Sequence, residues 1–195
     1  MHLTELIFAT NNEHKVKEIK SVVGDNLLVI SLAEAGIDID ILEPHDTLEA
    51  NASEKSSVIH SLTKKNCFSE DTGLEVHSLN GAPGVKSARY AGDGRDFQSN
   101  INLILQNLSG KKNRTAQFRT VISLIWNYNE YFFEGVCKGN IIVTQRGSEG
   151  FGYDPIFIPD GSTKTFAEMN MEEKNQYSHR KKATTQLIHF LTTQL

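Results

Sequence analysis

The sequence predicts an α/β fold with a mixed, partly parallel central sheet flanked by helices, and three observations carry that expectation. Short apolar runs of the buried-strand type alternate with helical patterns from Leu6 to Phe68, the arrangement of parallel βαβ units. From Ala116 the hydrophobic period changes to two, crosses a turn and resumes, as in an antiparallel pair. No linker, repeat or low-complexity tract interrupts the 195 residues, so a single domain over 1–195 with room for two lobes is expected.

Leu6, Ile7, Phe8 and Ala9 form the first strand, which ends at the polar loop Thr10-Asn11-Asn12. Lys15, Val16, Ile19, Val22 and Val23 then fit one helical face, so Thr10 to Lys15 lie at a strand-to-helix junction. Free backbone N–H groups at such a junction favour anions, and Lys15 adds a full positive charge; plain capping by Thr10 and the asparagines fits the spacing equally well. A turn at Gly24-Asp25-Asn26 leads to a second strand, Leu27 to Ser31, and an irregular acidic stretch with Asp38, Asp40, Glu43 and Asp46, read as solvated. From a cap at Thr47, the spacing of Leu48, Ala52, Lys55, Ile59 and Leu62 predicts a helix with Lys55 on or beside its inward face, where an ammonium needs an anion.

A strand at Asn66-Cys67-Phe68 is expected to end in the adjacent carboxylates Glu70 and Asp71, with Thr72 following and Gly73 turning the backbone, an arrangement suited to a metal at a sheet's carboxyl edge. Turn signals at Asn80-Gly81 and Ala82-Pro83-Gly84 precede Lys86, Arg89 and Tyr90. Phe97, Ile101, Ile104, Leu105 and Leu108 mark a helix stopped by Ser109-Gly110. Strands follow at Ala116–Trp126, Tyr131–Lys138 and Ile141–Thr144, the first two joined by a turn over Asn127–Glu130. The loop Gly147 to Asp154 holds Gly147, Gly150 and Gly152 interleaved with Phe151 and Tyr153, which suits close backbone approach to a ligand and a ring for a flat base; a turn with both rings in the core is the alternative. A strand at Ile156–Ile158, a turn at Pro159-Asp160-Gly161 and a helix at Met171–Tyr177 lead to a last helix capped by Ser178, with Ala183, Leu187, Phe190 and Leu191 as its buried stripe. His179 and Arg180 in its first turn oppose the helix dipole, a local conflict that an anion or carbonyl-bearing ligand would relieve.

Composition sets outer bounds. With 38% hydrophobic and 23% charged residues the chain reads as globular, and a net charge of -4 argues against a nucleic-acid or membrane-surface binder. The segment MHLTELIFAT lacks the features of a signal peptide, and no apolar run approaches the roughly 18 residues of a membrane span, so a cytoplasmic protein is expected. Cys67 and Cys137 lack metal-ligand spacing and read as reduced, buried small hydrophobes.

Five blocks in order, Thr10-x-Asn12-x-x-Lys15, SEDTGLEV with GAPGVKSARYAG, GFGYDPIF, FAEMNMEEKN and Ser178-His179-Arg180, resemble the inosine triphosphatase family of non-canonical purine NTP pyrophosphatases, the Ham1 or RdgB type. The resemblance spans essentially the whole chain. It implies a two-lobed molecule with a nucleotide cleft between the lobes, and a Mg2+-dependent homodimer that hydrolyses dITP, ITP and XTP to the monophosphate and pyrophosphate. Carried over block by block, Asp71 is the catalytic carboxylate and a metal ligand, with Thr72 contacting substrate beside it. Thr10, Asn11, Asn12 and Lys15 form the triphosphate loop, and Lys55 lies near the phosphates. Phe151, Gly152, Tyr153 and Asp154 hold base and sugar, while Lys174, His179 and Arg180 close over the nucleotide and read the purine's carbonyl edge. Glu43 is taken as the second acidic metal ligand, from the loop that also holds Asp40. Asn11 stands where the family commonly has glycine, and Glu70 where it often has aspartate.

Hydrolysis between the α and β phosphates needs an activated water, a divalent cation on the phosphate oxygens and fixed positive charge for the departing pyrophosphate. Hard carboxylate oxygens without a His or Cys cluster suit Mg2+. Hypoxanthine and xanthine carry an acceptor O6 where adenine carries an amino donor, so cationic donors discriminate between them. A Maf-type nucleotide pyrophosphatase is opposed by the GFGYD and SHR blocks; a non-catalytic nucleotide-binding protein is opposed by the intact set of Asp71, Lys15 and Lys174.

Overall fold

The computed structural model describes residues 4–23 and 27–194, so the turn expected at Gly24–Asn26 lies outside the described residues. In chain order the elements are β1 (Thr4–Phe8), α1 (Glu13–Lys20), β2 (Leu27–Ser31), α2 (Leu48–Thr63), β3 (Cys67–Val76), β4 (Pro83–Gly84), α3 (Phe97–Asn107), β5 (Thr115–Trp126), β6 (Asn129–Ile141), β7 (Phe157–Pro159), α4 (Met171–Asn175) and α5 (His179–Gln194). The strands form one mixed sheet in the order β2-β1-β3-β5-β6-β7, with β4 on β3. The chain divides into two compact units, Met1–Asp71 with Thr120–Gly135 and Arg180–Leu195, and Thr72–Arg119 with Val136–His179.

In the first unit β1 pairs in parallel with both β2 and β3. The crossover through α1 runs one way along the sheet and that through α2 runs back. Right-handed crossovers in opposite directions place their helices on opposite faces. The packing agrees with this. Leu6, Phe8 and Phe68 meet Ile19 of α1 and Ala183, Leu187 and Leu191 of α5, whereas Ile7, Ala9 and Cys67 meet Ile59 of α2. Successive side chains of a strand alternate between faces, so β3 sends Phe68 toward α1 and α5 and Cys67 toward α2. The loop after β2 follows a similar alternation: Ile37, Ile39 and Ile41 pack against the α2-side cluster while Asp38 and Asp40 stay exposed.

Local chemistry sets the helix starts. Asn12 caps α1 by accepting from the Lys15 backbone N–H (3.2 Å), and Thr47 caps α2 by accepting from Ala50 (3.2 Å). Lys64, in the left-handed region at φ 57, closes α2. In the second unit Leu74 and Val76 of β3, Ile101, Ile104 and Leu108, Phe118 of β5, Ile141 of β6, Phe157 of β7 and Phe166 form one core. Asp96 caps α3 by accepting from Ser99 (2.7 Å). Both cysteines are buried as expected, and burial pushes the Cys67 thiol up to about 12. Among the described residues no helix is long and apolar enough to cross a membrane.

Two expectations are corrected. The strand at Phe68 does not end in the carboxylates: β3 continues through Glu70, Asp71, Thr72 and Gly73 to Val76. Gly73 serves close approach rather than a turn, because a Cβ there would lie 2.6 Å from the Gly84 carbonyl oxygen of β4. What stops at this level is the parallel partner, since β1 pairs with β3 at Ile7–Cys67 and Phe8–Phe68, and the chain then leaves as the Thr10–Asn12 loop. Likewise Tyr131–Lys138 and Ile141 belong to one strand, β6, which starts at Asn129 after a two-residue turn with Asn127 and Tyr128 both at positive φ (49 and 65). No separate strand covers Ile141–Thr144; β6 ends at Ile141 against Phe157 of β7.

Gly73→Ala is expected to destabilise the protein by about 1–3 kcal/mol, because the facing atoms are backbone and cannot rotate away. A urea-unfolding midpoint unchanged from the parent would contradict this reading of Gly73.

Candidate active site

In the first unit the alternation of β3 separates its two adjacent acids. Asp71 faces the α2 side and is 6% exposed. Its Oδ1 lies 3.3 Å from Lys55 Nζ, and its Oδ2 accepts from Asn51 Nδ2 at 3.3 Å, both donors on α2. Lys55 also donates to Glu43 Oε1 at 2.6 Å, so one ammonium joins the strand carboxylate to a carboxylate of the loop before α2. Burial pushes the Asp71 pKa up; Lys55 and Lys15 oppose this, Glu43 adds to it, and the net shift is upward. Burial works against the Lys55 charge, but Asp71 and Glu43 outweigh it and raise the ammonium above its ordinary value. Two carboxylates thus share the Lys55 ammonium, with Asp71 buried and Glu43 half-buried.

Glu70 points the other way. Arg180 Nε and Nη2 clasp its carboxylate at 2.7 and 2.9 Å, Arg180 Nη1 bonds Glu18 of α1, and Lys15 Nζ lies 3.0 Å from Glu70 Oε1. Burial alone would raise Glu70, yet Arg180 and Lys15 outweigh it and hold the carboxyl well below the usual range. Burial likewise disfavours the Arg180 charge, and Glu70 and Glu18 push its pKa above the ordinary value. Expected over the nucleotide, the guanidinium is instead 2% exposed and bonded through three nitrogens to two internal carboxylates. In the loop after β1 the capping alternative is realised for Asn12, while Thr10 Oγ1 accepts from the Asn12 N–H (3.2 Å) and Asn11 Nδ2 donates to the Ile39 carbonyl (2.8 Å).

In the second unit, described by itself, the glycine loop builds around Asp154. Its Oδ2 accepts from the Phe151 N–H (2.9 Å) and pairs with Lys174 Nζ (2.6 Å), all but closed to solvent. Gly150, at φ 75, has no room for a side chain, since a Cβ would lie 2.1 Å from Asp154 Oδ2. Gly152, at φ 61, faces open space. Lys174 Nζ sits 5.5 Å from the half-buried Phe151 ring and 5.2 Å from that of Phe166. His179 stacks on Phe118 with centroids 4.7 Å apart and planes 11° off parallel. Tyr153, expected at base and sugar, lies in the core and donates its hydroxyl to the Ser87 carbonyl (2.8 Å). Thr72 follows Asp71 on β3, half-buried.

A family model described as the Ham1 family matches residues 6–190. The chain belongs to the Ham1 family. It is 47% identical to a dITP/XTP pyrophosphatase of Flavobacterium psychrophilum over 95% of this chain and 98% of that one, and 48% identical to one of Porphyromonas gingivalis over 97% and 98%. Among solved structures, the Staphylococcus aureus Ham1 protein matches with a TM-score of 0.88 at 37% identity, covering 98% of this chain and 100% of its own.

Three residues that touch the expected site residues of their own unit carry no expectation from the sequence. Glu18 carried a usable signal, three residues after Lys15 and so on the same side of α1. Asn51 lies on the inward stripe of α2 beside Ala52, where a polar residue asks for a partner. Phe97, read only as helix core, is 40% exposed with its ring centroid 6.1 Å from that of Phe151. For a divalent cation, Asp71 and Glu43 offer hard carboxylate oxygens. No group of three or more His, Cys, Asp or Glu residues suited to a metal occurs among the described residues. Such a cation would complete its shell from substrate phosphate and water, the habit of Mg2+.

The Glu70 cluster yields a stability prediction. Its folded-state pKa lies below the unfolded value of about 4.3, so its contribution is complete above that pH and fades as pH falls through it toward the folded value. Arg180→Ala should cost about 3–5 kcal/mol near neutrality by leaving Glu70 and Glu18 without their shared partner, and should flatten the acid decline. Denaturant midpoints measured from pH 7 to 3 check both; equal midpoints for the two proteins at pH 7 would contradict the pairing.

Proposed function

We propose that this chain hydrolyses dITP, ITP and XTP to the nucleoside monophosphate and pyrophosphate, with Mg2+ as cofactor, as a cytoplasmic homodimer. The observation that carries the chemistry is the Asp71–Lys55–Glu43 cluster, a cation-seeking pair of carboxylates with a lysine in its midst, in a chain whose relatives are named dITP/XTP pyrophosphatases. Asp71 and Glu43 would hold Mg2+, which would supply Lewis-acid neutralisation of the phosphate oxygens. Asp71 accepts a hydrogen bond from the water aimed at the α-phosphorus, with Thr72 beside it. Lys15, held by Glu70, and Lys55, held by Glu43 and Asp71, direct their remaining N–H donors at the departing pyrophosphate, and the Thr10–Asn12 loop binds the outer phosphates.

Base recognition falls to Phe151, Gly152, Asp154, Lys174 and His179. The Phe151 face stacks on the purine, and Lys174, fixed by Asp154, donates to an acceptor O6. Adenine presents an amino group there, and two opposed donors leave both unpaired. Arg180 contributes through Glu70, as the buried counter-ion that keeps the neighbouring strand residue in place, and Tyr153 through the core.

A panel of dITP, XTP, ITP, dATP, ATP, GTP and dTTP, with product identification, tests this. The kcat/KM for dITP and XTP should exceed that for ATP by about a hundredfold or more. Phosphorus should leave as pyrophosphate, and chelation should stop turnover until Mg2+ is restored. Orthophosphate release, or equal rates on ATP and dITP, would contradict the assignment.

A further inference from the structure

We propose that Asn51 is the positioning residue of the carboxylate pair: it holds the loop that carries Glu43 in a fixed place against Asp71, so that both carboxylates serve one divalent cation. This rests on the metal-assisted reading above and adds a residue to it.

Asn51 is 1% exposed in the interior of α2, a costly place for an amide unless its groups are bonded. They are bonded to the site. Oδ1 accepts from the His45 backbone N–H at 2.9 Å, and Nδ2 donates to the His45 carbonyl at 3.1 Å. This two-point clamp copies a strand ladder and pins the loop two residues beyond Glu43. Nδ2 also reaches Asp71 Oδ2 at 3.3 Å. The loop from Leu32 to Asp46 contains no helix or strand, so the place of Glu43 depends on such side-chain clamps.

Lys55, one turn further along α2, ties the same two partners through Glu43 Oε1 and Asp71 Oδ1. The two clamps differ in what an arriving cation does to them. An ammonium and a divalent ion compete for the same carboxylate oxygens, and a triphosphate offers the ammonium another partner. The neutral amide has no such conflict. It keeps hold of the loop backbone and of Oδ2 while the charged partners rearrange, so Asn51 is the restraint that persists through binding.

The test is Mn2+ titration of the full-length protein without nucleotide, by electron paramagnetic resonance, with Asn51→Ala alongside the parent. Removing a group that orients metal ligands typically weakens affinity about 10–100-fold, and that range is expected for the Mn2+ Kd. The Mg2+ concentration for half-maximal dITP hydrolysis should rise in step, with kcat at saturating Mg2+ recovering to within about threefold. A purely structural asparagine would lower Tm and leave the Kd of the folded protein unchanged, and that result overturns the proposal. Should Asn51→Ala fail to fold, Asn51→Ser is read in the same way, since its shorter side chain cannot span His45 and Asp71 together. A parent that binds no Mn2+ without nucleotide, or one that binds it as tightly as a folded Asn51 variant, overturns this proposal alone; the metal-assisted reading is overturned separately, by dITP hydrolysis that chelation does not stop.

Discussion

The alternation of side chains along β3 is the constraint on which the rest depends. Glu70 and Asp71 are neighbours in sequence, and a strand sends neighbours to opposite faces. Glu70 meets Arg180, Lys15 and, through Arg180, Glu18, while Asp71 meets Lys55, Asn51 and, through Lys55, Glu43. One acid joins α1 and α5 to the sheet. The other, on the α2 side, shares the Lys55 ammonium with Glu43. A shift of pairing by a single residue would exchange these environments.

The two faces differ in how their acids are held, and the pKa directions differ with them. On the Glu70 face two carboxylates meet a guanidinium and an ammonium, and the pKa directions follow: Glu70 is driven down and Arg180 up. On the Asp71 face two carboxylates share one ammonium, and burial drives Asp71 up. A buried acid that resists ionisation gains from a cation that a substrate can help to supply. The same lysine that holds the pair together also has a natural second partner in phosphate.

Much of this was legible in the sequence where the governing chemistry is local. Thr47 as a cap, Lys55 on the inward side of α2, the β2 bounds and the stop after α3 all follow from signals within a few residues. At β3 two acids and a glycine in succession resemble a strand end; what keeps them in a strand is charge delivered by Arg180 and the Gly84 backbone packed closely on Gly73, both partners remote in sequence. Arg180 stands out in the sequence by its conflict with the helix dipole, and Glu70 and Glu18 meet that charge. Tyr153 followed the alternative left open for the glycine loop, a ring in the core, whereas Phe151 stayed half-buried beside Lys174. Asn51 was passed over because an asparagine inside a helix gives no hint of its partner until the loop carrying His45 is placed.

The central claim is that Asp71 serves the cation and Glu70 the fold. The most direct measurement is the Mn2+ affinity and melting temperature of Asp71→Asn beside Glu70→Gln. The account predicts that Asp71→Asn stays within a few degrees of the parent while losing Mn2+ binding, and that Glu70→Gln melts well below the parent yet, while folded, still binds Mn2+. Loss of Mn2+ binding in a Glu70→Gln protein of undiminished stability, with Asp71→Asn binding as the parent does, would contradict it.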